Sequence, residues 1–389
     1  MINFAFYSPT KIYFGKEQES NVGEIIKGYN FKKVLLHYGQ NSIKKIGLYD
    51  KVIKSLNDSN INYIELSGVE PNPKIDLVRK GVKLVKEEGV DFILAVGGGS
   101  VIDSAKAIAC GAKVDFDPLL FNQHVKTPES ALPVGVILTI SAAGSELSNS
   151  CVISNLDDKF KNGFNSDLIR PLFVIENPEL TYTVSKYQTG CGIVDILMHT
   201  LERYFTDTPD IEFAKNIAEG LIKSVIDAGQ VAISNPNDYN ARSTLMIASS
   251  FSHNGLTGLG GKMYFTVHKL EHQVSGTFDN VAHGAGLSVL FPAWAKWVYK
   301  KDLPNFVRFT KNIWNINDGT DEEIAYKGIL KLEEYFKNIG MPTRFSDLNI
   351  DESSFEPMAS RITKNDTIKV PGFIELDKES VLEIFNLAK

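Results

Sequence analysis

Apolar runs alternate with amphipathic stretches through about the first 180 residues of the chain. Five of the runs are rich in Val, Ile and Leu and are bounded by Gly, Pro or Asn, as buried strands are. They are KKVLLHYG (32–39), INYIELSG (61–68), DFILAVGG (91–98), ALPVGVILT (131–139) and RPLFVIEN (170–177). Between them, segments 46–57 and 74–89 repeat apolar residues at helical spacing. This alternation predicts βαβ units and a mainly parallel sheet.

From about residue 185 the apolar residues recur at intervals of three and four, which predicts an all-helical second half. The segment NPELTYTVSK (177–186) interrupts the pattern with Pro and two threonines. A single core rarely grows beyond roughly 250–300 residues, so a chain of 389 residues favours two domains. We therefore predict an α/β domain over residues 1–184 and a helical domain over residues 185–389.

Composition narrows the classes of function. A formal charge of -6 argues against a general nucleic-acid or membrane-surface binder, because such binding needs a clustered basic face. The three cysteines, Cys110, Cys151 and Cys191, are odd in number and far apart, which favours a reducing compartment. The N-terminus lacks the pattern of a secretory signal, and no apolar run approaches the roughly 18 residues of a membrane span. We expect a cytoplasmic protein.

A glycine loop follows the third predicted strand, in DFILAVGGGSVIDSAKAIA (91–109). Glycines at the end of a strand let an anion approach the backbone, and the next helix offers free N–H groups at its N-terminus. The loop suits a pyrophosphate, although it matches neither G-x-G-x-x-G nor the Walker A motif. An ordinary tight turn remains the alternative, and Asp103 could complement the helix dipole or bind a ligand hydroxyl.

Three of the seven histidines lie within HKLEHQVSGTFDNVAHG (268–284). His268 and His272 are four residues apart, and His283 follows at a turn. Asp195 and His199 repeat the four-residue spacing on another predicted helix, where both would share one face. One carboxylate and imidazoles from three separated places indicate a site for Zn²⁺ or Fe²⁺ with a position left open for substrate.

Each histidine taken alone fits a hydrogen-bonded structural role, and we keep that interpretation for His37, His124 and His253. HKLEH also reads as H-x-x-E-H, a zinc-peptidase signature in which both histidines bind zinc and Glu271 activates water. The peptidase hypothesis explains neither the Asp195 and His199 pair nor a nucleotide-type sheet.

Four ordered motifs carry a resemblance that covers nearly the whole chain: GGGSVIDSAK, TISAAGSE (139–146), GIVDILMHTLE (192–202) and HKLEHQVSGTFDNVAHGAG. Together they resemble the iron-containing (group III) alcohol dehydrogenases, especially the butanol-dehydrogenase-like branch. The resemblance implies a Rossmann-like α/β domain that binds NAD(P) and an all-α C-terminal domain, in the architecture shared with dehydroquinate synthase. It also implies a catalytic divalent metal and a homodimer, which could form through the edge strand at IYFG.

Carried over residue by residue, the family's metal ligands fall on Asp195, His199, His268 and His283. His272 matches a further histidine that lies near the nicotinamide and could relay a proton. The family's cofactor contacts fall on Asn72, Gly98, Gly99, Ser100, Asp103, Thr139 and Lys161.

The chain departs from the family pattern at three places. The interval from His272 to His283 is one residue longer than in many relatives, Ala143 stands where relatives often have threonine, and Tyr264 and Phe265 replace Asp-Trp. None of these changes removes a ligand.

The segment after the first predicted strand bears on the choice of cofactor. NAD-preferring dehydrogenases tend to present an acidic residue there to the ribose 2′-hydroxyl, whereas this chain has Gly39, Gln40, Asn41 and Ser42, followed by Lys44. Amide, hydroxyl and ammonium donors do not repel a 2′-phosphate, which favours NADP(H) over NAD(H). Alternatively, these residues only cap a helix and Lys44 faces water.

We therefore predict reversible hydride transfer between NAD(P)(H) and a primary alcohol or aldehyde, with the metal polarising the substrate oxygen. The alternatives are a glycerol dehydrogenase-like or dehydroquinate synthase-like enzyme of the same fold, the zinc peptidase, and a nucleotide-binding module with structural histidines.

Overall fold

A parallel six-stranded sheet forms the centre of the first half of the chain. The computed structural model describes all residues from 1 to 389. The strands are β1 (Lys11–Phe14), β2 (Lys33–Tyr38), β3 (Asn62–Leu66), β4 (Phe92–Gly97), β5 (Val134–Leu138), β6 (Ser150–Asn155), β7 (Phe160–Asn165) and β8 (Phe173–Glu176). The order in the sheet is β1-β8-β5-β4-β2-β3, and β6 and β7 form a separate antiparallel hairpin. All five predicted strands are present, as β2, β3, β4, β5 and β8.

Both faces of the sheet are covered, which is why its central strand is apolar throughout. In β4, Ile93 and Ala95 pack into one apolar cluster, while Phe92, Leu94 and Val96 pack into another on the opposite face. The period-two alternation of a strand thus divides a continuous apolar run between two cores. The covering helices are α1 (Val22–Gly28), α2 (Ser42–Lys45), α3 (Leu48–Asp58), α4 (Ile75–Glu88), α5 (Gly99–Gly111) and α6 (Leu119–Asn122).

The second half is helical, as predicted. Its helices are α7 (Lys186–Tyr204), α8 (Glu212–Ser234), α9 (Tyr239–Ser252), α10 (Thr266–Thr277), α11 (His283–Val298), α12 (Leu303–Trp314), α13 (Asp321–Asn338), α14 (Phe355–Ile362) and α15 (Lys378–Leu387). α7 packs against α8 and α11, and α10 packs against α11. The fold class, a Rossmann-like α/β part and an all-α part, is confirmed.

The chain divides into two compact units, one of Tyr7–Val184 with Pro236–Asn254, the other of Met1–Phe6, Ser185–Asn235 and Gly255–Lys389. The predicted domains, 1–184 and 185–389, have the same boundary after Val184. Each predicted domain is one continuous range, whereas each compact unit combines separate segments of the chain.

Buried polar contacts explain why α9 belongs to the α/β unit. Ser249 and Ser250 of α9 donate to Glu146 Oε1 at 3.1 and 2.8 Å, and Ser250 Oγ lies 2.6 Å from Glu176 Oε1 at the end of β8. Burial raises the pKa of Glu176 to about 8, so at neutral pH this carboxyl carries a proton that it can share with Ser250. The serines of α9 thereby supply a hydrogen-bond partner to one oxygen of each of two buried carboxyl groups, which lowers the cost of burying them.

The three cysteines are free thiols, and all are buried. None of the helices combines the length and the apolar character that a membrane-spanning segment requires.

Candidate active site

Helix α7 supplies the first two residues of the candidate metal site. Its N-terminus is fixed by Ser185, whose side chain accepts from the Gln188 amide at 3.2 Å. Asp195 and His199 are one turn apart on this helix, and both are buried, with 4% and 5% of their surface exposed. The helical spacing places them on one face, as predicted.

Helices α10 and α11 supply the other two residues. His268 lies in the first turn of α10 and is 5% exposed, and His283 is the first residue of α11. α11 can approach α7 closely because its second residue is Gly284, where a Cβ atom would lie only 2.2 Å from the Cys191 carbonyl oxygen. A side chain at this position would push His283 away from α7.

Three of the side chains predicted as metal ligands lie around one carboxylate oxygen of the fourth, Asp195. Asp195 Oδ1 lies 3.1 Å from His199 Nδ1, 3.7 Å from His268 Nε2 and 3.8 Å from His283 Nε2. The rings of His199 and His268 are 4.4 Å apart between centroids, and those of His268 and His283 are 5.3 Å apart. Three helices thus bring four potential ligands into one small volume.

The Nδ1 atom of each of these histidines already has a hydrogen-bond partner. His199 Nδ1 lies 3.0 Å from the Asp195 carbonyl oxygen, His268 Nδ1 bonds Glu202 Oε2, and His283 Nδ1 bonds Glu271 Oε2. An acceptor at Nδ1 fixes the proton there and leaves Nε2 as the basic nitrogen. Carboxylate and carbonyl partners of this kind orient histidines that bind metals.

Charge in the cluster is unevenly distributed. Burial lowers the pKa of His199 to about 4, so this imidazole is neutral at physiological pH. Burial also opposes ionisation of Asp195, but His199 and His283 hold the pKa of its carboxyl well below the usual value. At His268, burial lowers the pKa, but the carboxylates of Glu202 and Asp195 outweigh it and raise the pKa to about 9. The surrounding carboxylates therefore favour a positive charge at this place, carried either by a proton on His268 or by a bound metal cation that displaces it.

Two buried atoms at the centre support a metal at this place. Asp195 Oδ1 and His268 Nε2 are both buried and make no hydrogen bond of normal geometry. Buried polar atoms are rarely left in this condition, because each costs about 1–3 kcal/mol. A divalent cation coordinated by these atoms would remove that cost, so the residues present fit such an ion.

His272 and Glu271 occupy places that disagree with the zinc-peptidase hypothesis. The carboxylate of Glu271 is fully buried and bonded to His283, so it does not face an open position where it could activate water. The ring of His272 is 6.5 Å from that of His268 and 5.5 Å from that of His283, and it is partly exposed. The alternative interpretation of HKLEH as a peptidase motif is therefore not favoured, because Glu271 bonds a histidine on the next helix.

The glycine loop lies at the carboxyl end of β4, next to those of β2 and β5. Gly98 precedes the first turn of α5, a helix of thirteen residues, and a Cβ atom there would lie 2.2 Å from Ile140 Cγ2. Thr139 donates its backbone N–H to Gly97 at 3.1 Å, which joins the loop after β5 to the glycine loop. The predicted cofactor residues Gly98, Gly99, Ser100 and Thr139 therefore lie at one edge of the sheet, beside the helix N-terminus where anions bind.

Asp103, Asn72 and Lys161 are brought together by the β6–β7 hairpin, which the sequence did not reveal. Asp103 accepts from Ser145 Oγ at 2.5 Å and from the Val152 amide at 3.0 Å. Its two carboxylate oxygens thus bond the segment before β6 and β6 itself. Ser154 of β6 donates to the Pro73 carbonyl at 2.9 Å, next to Asn72, and pairs with Lys161 of β7. Asp103 thus has a structural role at these loops in addition to the cofactor contact predicted for it.

Glu202 is the most important residue that the sequence analysis missed. It follows Asp195 by seven residues and His199 by three, so the helical period alone would have placed it on the same face. The role of Glu271 had no comparable local signal, because its partner His283 lies on another helix.

Comparison with known proteins now identifies the chain. Residues 9–178 match the family described as "Iron-containing alcohol dehydrogenase", and residues 189–388 match "Fe-containing alcohol dehydrogenase family, C-terminal". This chain is a member of the iron-containing alcohol dehydrogenase family. Among its relatives are NADH-dependent butanol dehydrogenase A of Clostridium acetobutylicum, 39% identical over 99% of both chains, and the NADPH-dependent aldehyde reductase YqhD of Escherichia coli, 34% identical over 94% of both.

Solved structures of the same family agree over the full length. The NADH-dependent butanol dehydrogenase A of Thermotoga maritima has a TM-score of 0.96 at 38% identity and covers 100% of this chain and 99% of its own. The E. coli YqhD structure has a TM-score of 0.95 at 31% identity, again over 100% of this chain and 99% of its own.

Family membership settles the class of reaction. The protein is an NAD(P)-dependent alcohol dehydrogenase of the iron-containing type, which interconverts alcohols and aldehydes and uses a divalent metal. The resemblance inferred from four motifs is confirmed. The glycerol dehydrogenase-like, dehydroquinate synthase-like and peptidase alternatives are not favoured.

Proposed function

We propose that this alcohol dehydrogenase interconverts primary alcohols of about the size of butanol with their aldehydes, and that Asp195, His199, His268 and His283 bind its metal ion. The observation that carries the proposal is that the Nε2 atoms of His268 and His283 lie 3.7 and 3.8 Å from Asp195 Oδ1, and that Asp195 Oδ1 and His268 Nε2 are buried without a hydrogen bond of normal geometry. The proposed substrate class follows relatives named butanol dehydrogenases, one of them 39% identical.

The donor set is compatible with Fe²⁺ or Zn²⁺. Imidazole binds both ions, and a carboxylate supplies a negative charge. In the general order of affinities Zn²⁺ binds such sites more tightly than Fe²⁺, so the ion that is loaded depends on supply as well as on the ligands.

Lewis-acid stabilisation of the substrate oxygen is the chemistry that a divalent metal supplies in such a site, and a nicotinamide supplies the hydride acceptor or donor. The protein's own contribution is orientation. Glu202 and Glu271 hold the rings of His268 and His283 through Nδ1. We assign to His272, whose ring is partly exposed beside His283, the relay of the substrate proton to solvent.

The cofactor is assigned to the first domain, residues 1–184, and the metal to the second, residues 185–389. Pyrophosphate binding at the glycine loop is supported by the helix N-terminus and by the lack of space for a side chain at Gly98. The residues assigned to cofactor binding are Gly39, Gln40, Asn41, Ser42, Asn72, Gly98, Gly99, Ser100, Asp103, Thr139 and Lys161.

NADP(H) is the proposed preferred cofactor. The loop from Gly39 to Ser42 carries no carboxylate, and the ammonium of Lys44 is held 4.8 Å from the ring centroid of Tyr49 and 5.5 Å from that of Tyr38. A cation fixed next to this loop favours a 2′-phosphate. The relatives include both types, since butanol dehydrogenase A is named as NADH-dependent and YqhD as NADPH-dependent.

The test combines metal analysis with an assay. After anaerobic purification of the full-length protein we expect about one divalent metal per chain, and NADPH oxidation, followed at 340 nm, with butanal and related aldehydes. A charged hydrogen bond to the 2′-phosphate is worth about 1.5–3 kcal/mol, so kcat/KM with NADPH should exceed that with NADH by about tenfold or more.

Each part of this test can fail separately. A protein without bound metal and without activity toward any aldehyde would contradict the proposed function and would favour structural histidines. Activity with a higher kcat/KM for NADH would contradict the cofactor preference alone.

We also propose a homodimer. β1 is an edge strand, paired on one side with β8, and exposed apolar residues precede it at Met1, Ile2, Phe4 and Phe6. An unpaired edge strand can pair with a second copy across a two-fold axis, and exposed apolar residues favour such an association. Light scattering of the purified protein should give twice the mass of one chain, and a monomer at micromolar concentration would contradict the proposal.

A further inference from the structure

Phe265, immediately before α10, has an unusual backbone conformation. Its φ and ψ angles are 52° and 46°, in the left-handed region that bulky residues rarely adopt. Phe265 is the third residue before His268. Strained backbone of this kind persists only where surrounding contacts maintain it, and it is concentrated at functional sites.

The ring of Phe265 contacts two of the proposed ligands. Its centroid is 5.3 Å from that of His268, with the planes at 88°, and 6.0 Å from that of His199, with the planes at 64°. Both are edge-to-face arrangements, which are favourable for aromatic rings. Phe265 therefore lies against one imidazole from α7 and one from α10.

Arg203 also lies against the phenyl ring. Its guanidinium carbon lies 4.7 Å from the ring centroid of Phe265, and its Nη1 donates to the His199 carbonyl at 2.5 Å. Arg203 is only 3% exposed, and a Cβ atom on Gly258 would lie 2.9 Å from its Cδ, so the side chain has little room to move. A buried arginine in this position connects α7 to the start of α10.

We infer that Phe265 and Arg203 are a positioning pair that holds the imidazole rings of His199 and His268 in the orientation required for metal binding. The inference rests on the proposed metal site and goes beyond it, because neither residue is a ligand. The guanidinium holds the phenyl ring by a cation–π contact, and the phenyl ring limits the rotation of both imidazoles. The left-handed backbone at Phe265 is what turns its ring toward α7.

Two substitutions separate the ring from the backbone. Phe265→Gly removes the ring and relieves the left-handed strain, so this variant should fold at least as well as Phe265→Ala. If the ring positions the ligands, both variants should bind metal more weakly by about 10–100-fold, the range observed when groups that orient ligands are removed. Phe265→Trp should keep most of the affinity. The readout is Zn²⁺ affinity of the full-length chelator-stripped protein, measured by competition with a chromophoric chelator, with the visible spectrum of the Co²⁺ form as a second readout.

Tyr264→Ala is the matched control, because Tyr264 is the adjacent aromatic residue, is also partly exposed, and bonds Asp207 at 3.0 Å, away from the histidines. It should leave Zn²⁺ affinity within about threefold of the unchanged protein, while Arg203→Met should weaken it in the same direction as Phe265→Gly. Unchanged affinity and an unchanged Co²⁺ spectrum in Phe265→Gly would overturn the positioning role and leave the metal site standing. Failure of the unchanged protein to bind Zn²⁺ would overturn the metal site, and the inference with it.

Discussion

Replacing His268 with alanine is expected to reduce turnover by about a thousandfold or more and to leave the purified protein with little bound metal. His268 contributes the buried Nε2 that faces Asp195 Oδ1 at 3.7 Å. Lewis-acid stabilisation is worth several kcal/mol in the transition state, and each 1.36 kcal/mol corresponds to a factor of ten in rate. The measurements are kcat with NADPH and butanal, and the metal content after dialysis.

His272→Ala is the control for this substitution. His272 is four residues from His268 on the same helix but is assigned to proton relay and not to the metal. We expect His272→Ala to keep its metal and to lose turnover by about 10²-fold, the lower range for general acid–base catalysis. Full activity and full metal content in His268→Ala would contradict the ligand assignment. Loss of metal in His272→Ala would mean that the wrong histidine of the pair had been assigned.

Replacing Glu202 with glutamine is expected to weaken divalent-metal binding by about 10–100-fold. The Glu202 carboxylate accepts from the Val267 amide at 2.6 Å and the His268 amide at 3.0 Å, and it also bonds His268 Nδ1. It therefore caps α10 and sets the ring of His268 at the same time. In glutamine one oxygen becomes an NH₂ group, which cannot accept from these donors, so at least one buried N–H loses its partner at a cost of about 1–3 kcal/mol.

The effect on the metal has to be separated from the effect on stability. Glu333 is a suitable comparison, since it is a buried carboxylate in the helical unit that pairs with Lys296 and with Arg344 at 2.8 Å, and its partners include none of the proposed ligands. Glu333→Gln should lower the thermal midpoint without changing Zn²⁺ affinity, whereas Glu202→Gln should change both. Equal Zn²⁺ affinities for the two variants would show that Glu202 acts on stability alone.

The sequence predicted the elements that depend on local periodicity. β4 was recognisable because a strand covered on both faces is apolar at every position, and α4 because apolar residues recur at the period of a helix. The hairpin of β6 and β7 was not recognised. Its strands, SCVISN and FKNGFN, are partly polar, and several of their side chains are incompletely buried, so they lack a clear alternation.

The same distinction between local and long-range contacts applies to the candidate site. Asp195 and His199 could be paired from a four-residue interval, and the wider set of ligands came from the resemblance to a family. Glu202 was available to the same periodic argument and was overlooked. The hydrogen bond between Glu271 and His283, by contrast, connects two separate helices. The position of α11 depends in addition on the absence of a side chain at Gly284.

By itself, the sequence determined the fold class, the family and the residues that could bind a metal, because these depend on short-range periodicity and on the types of side chain in ordered motifs. Only the tertiary structure decided which ring nitrogens remain available, that Glu271 supports His283 and does not activate water, and that α9 joins the α/β unit. Those outcomes depend on hydrogen bonds between buried polar groups on helices that are distant in the sequence. A local sequence pattern does not determine such contacts.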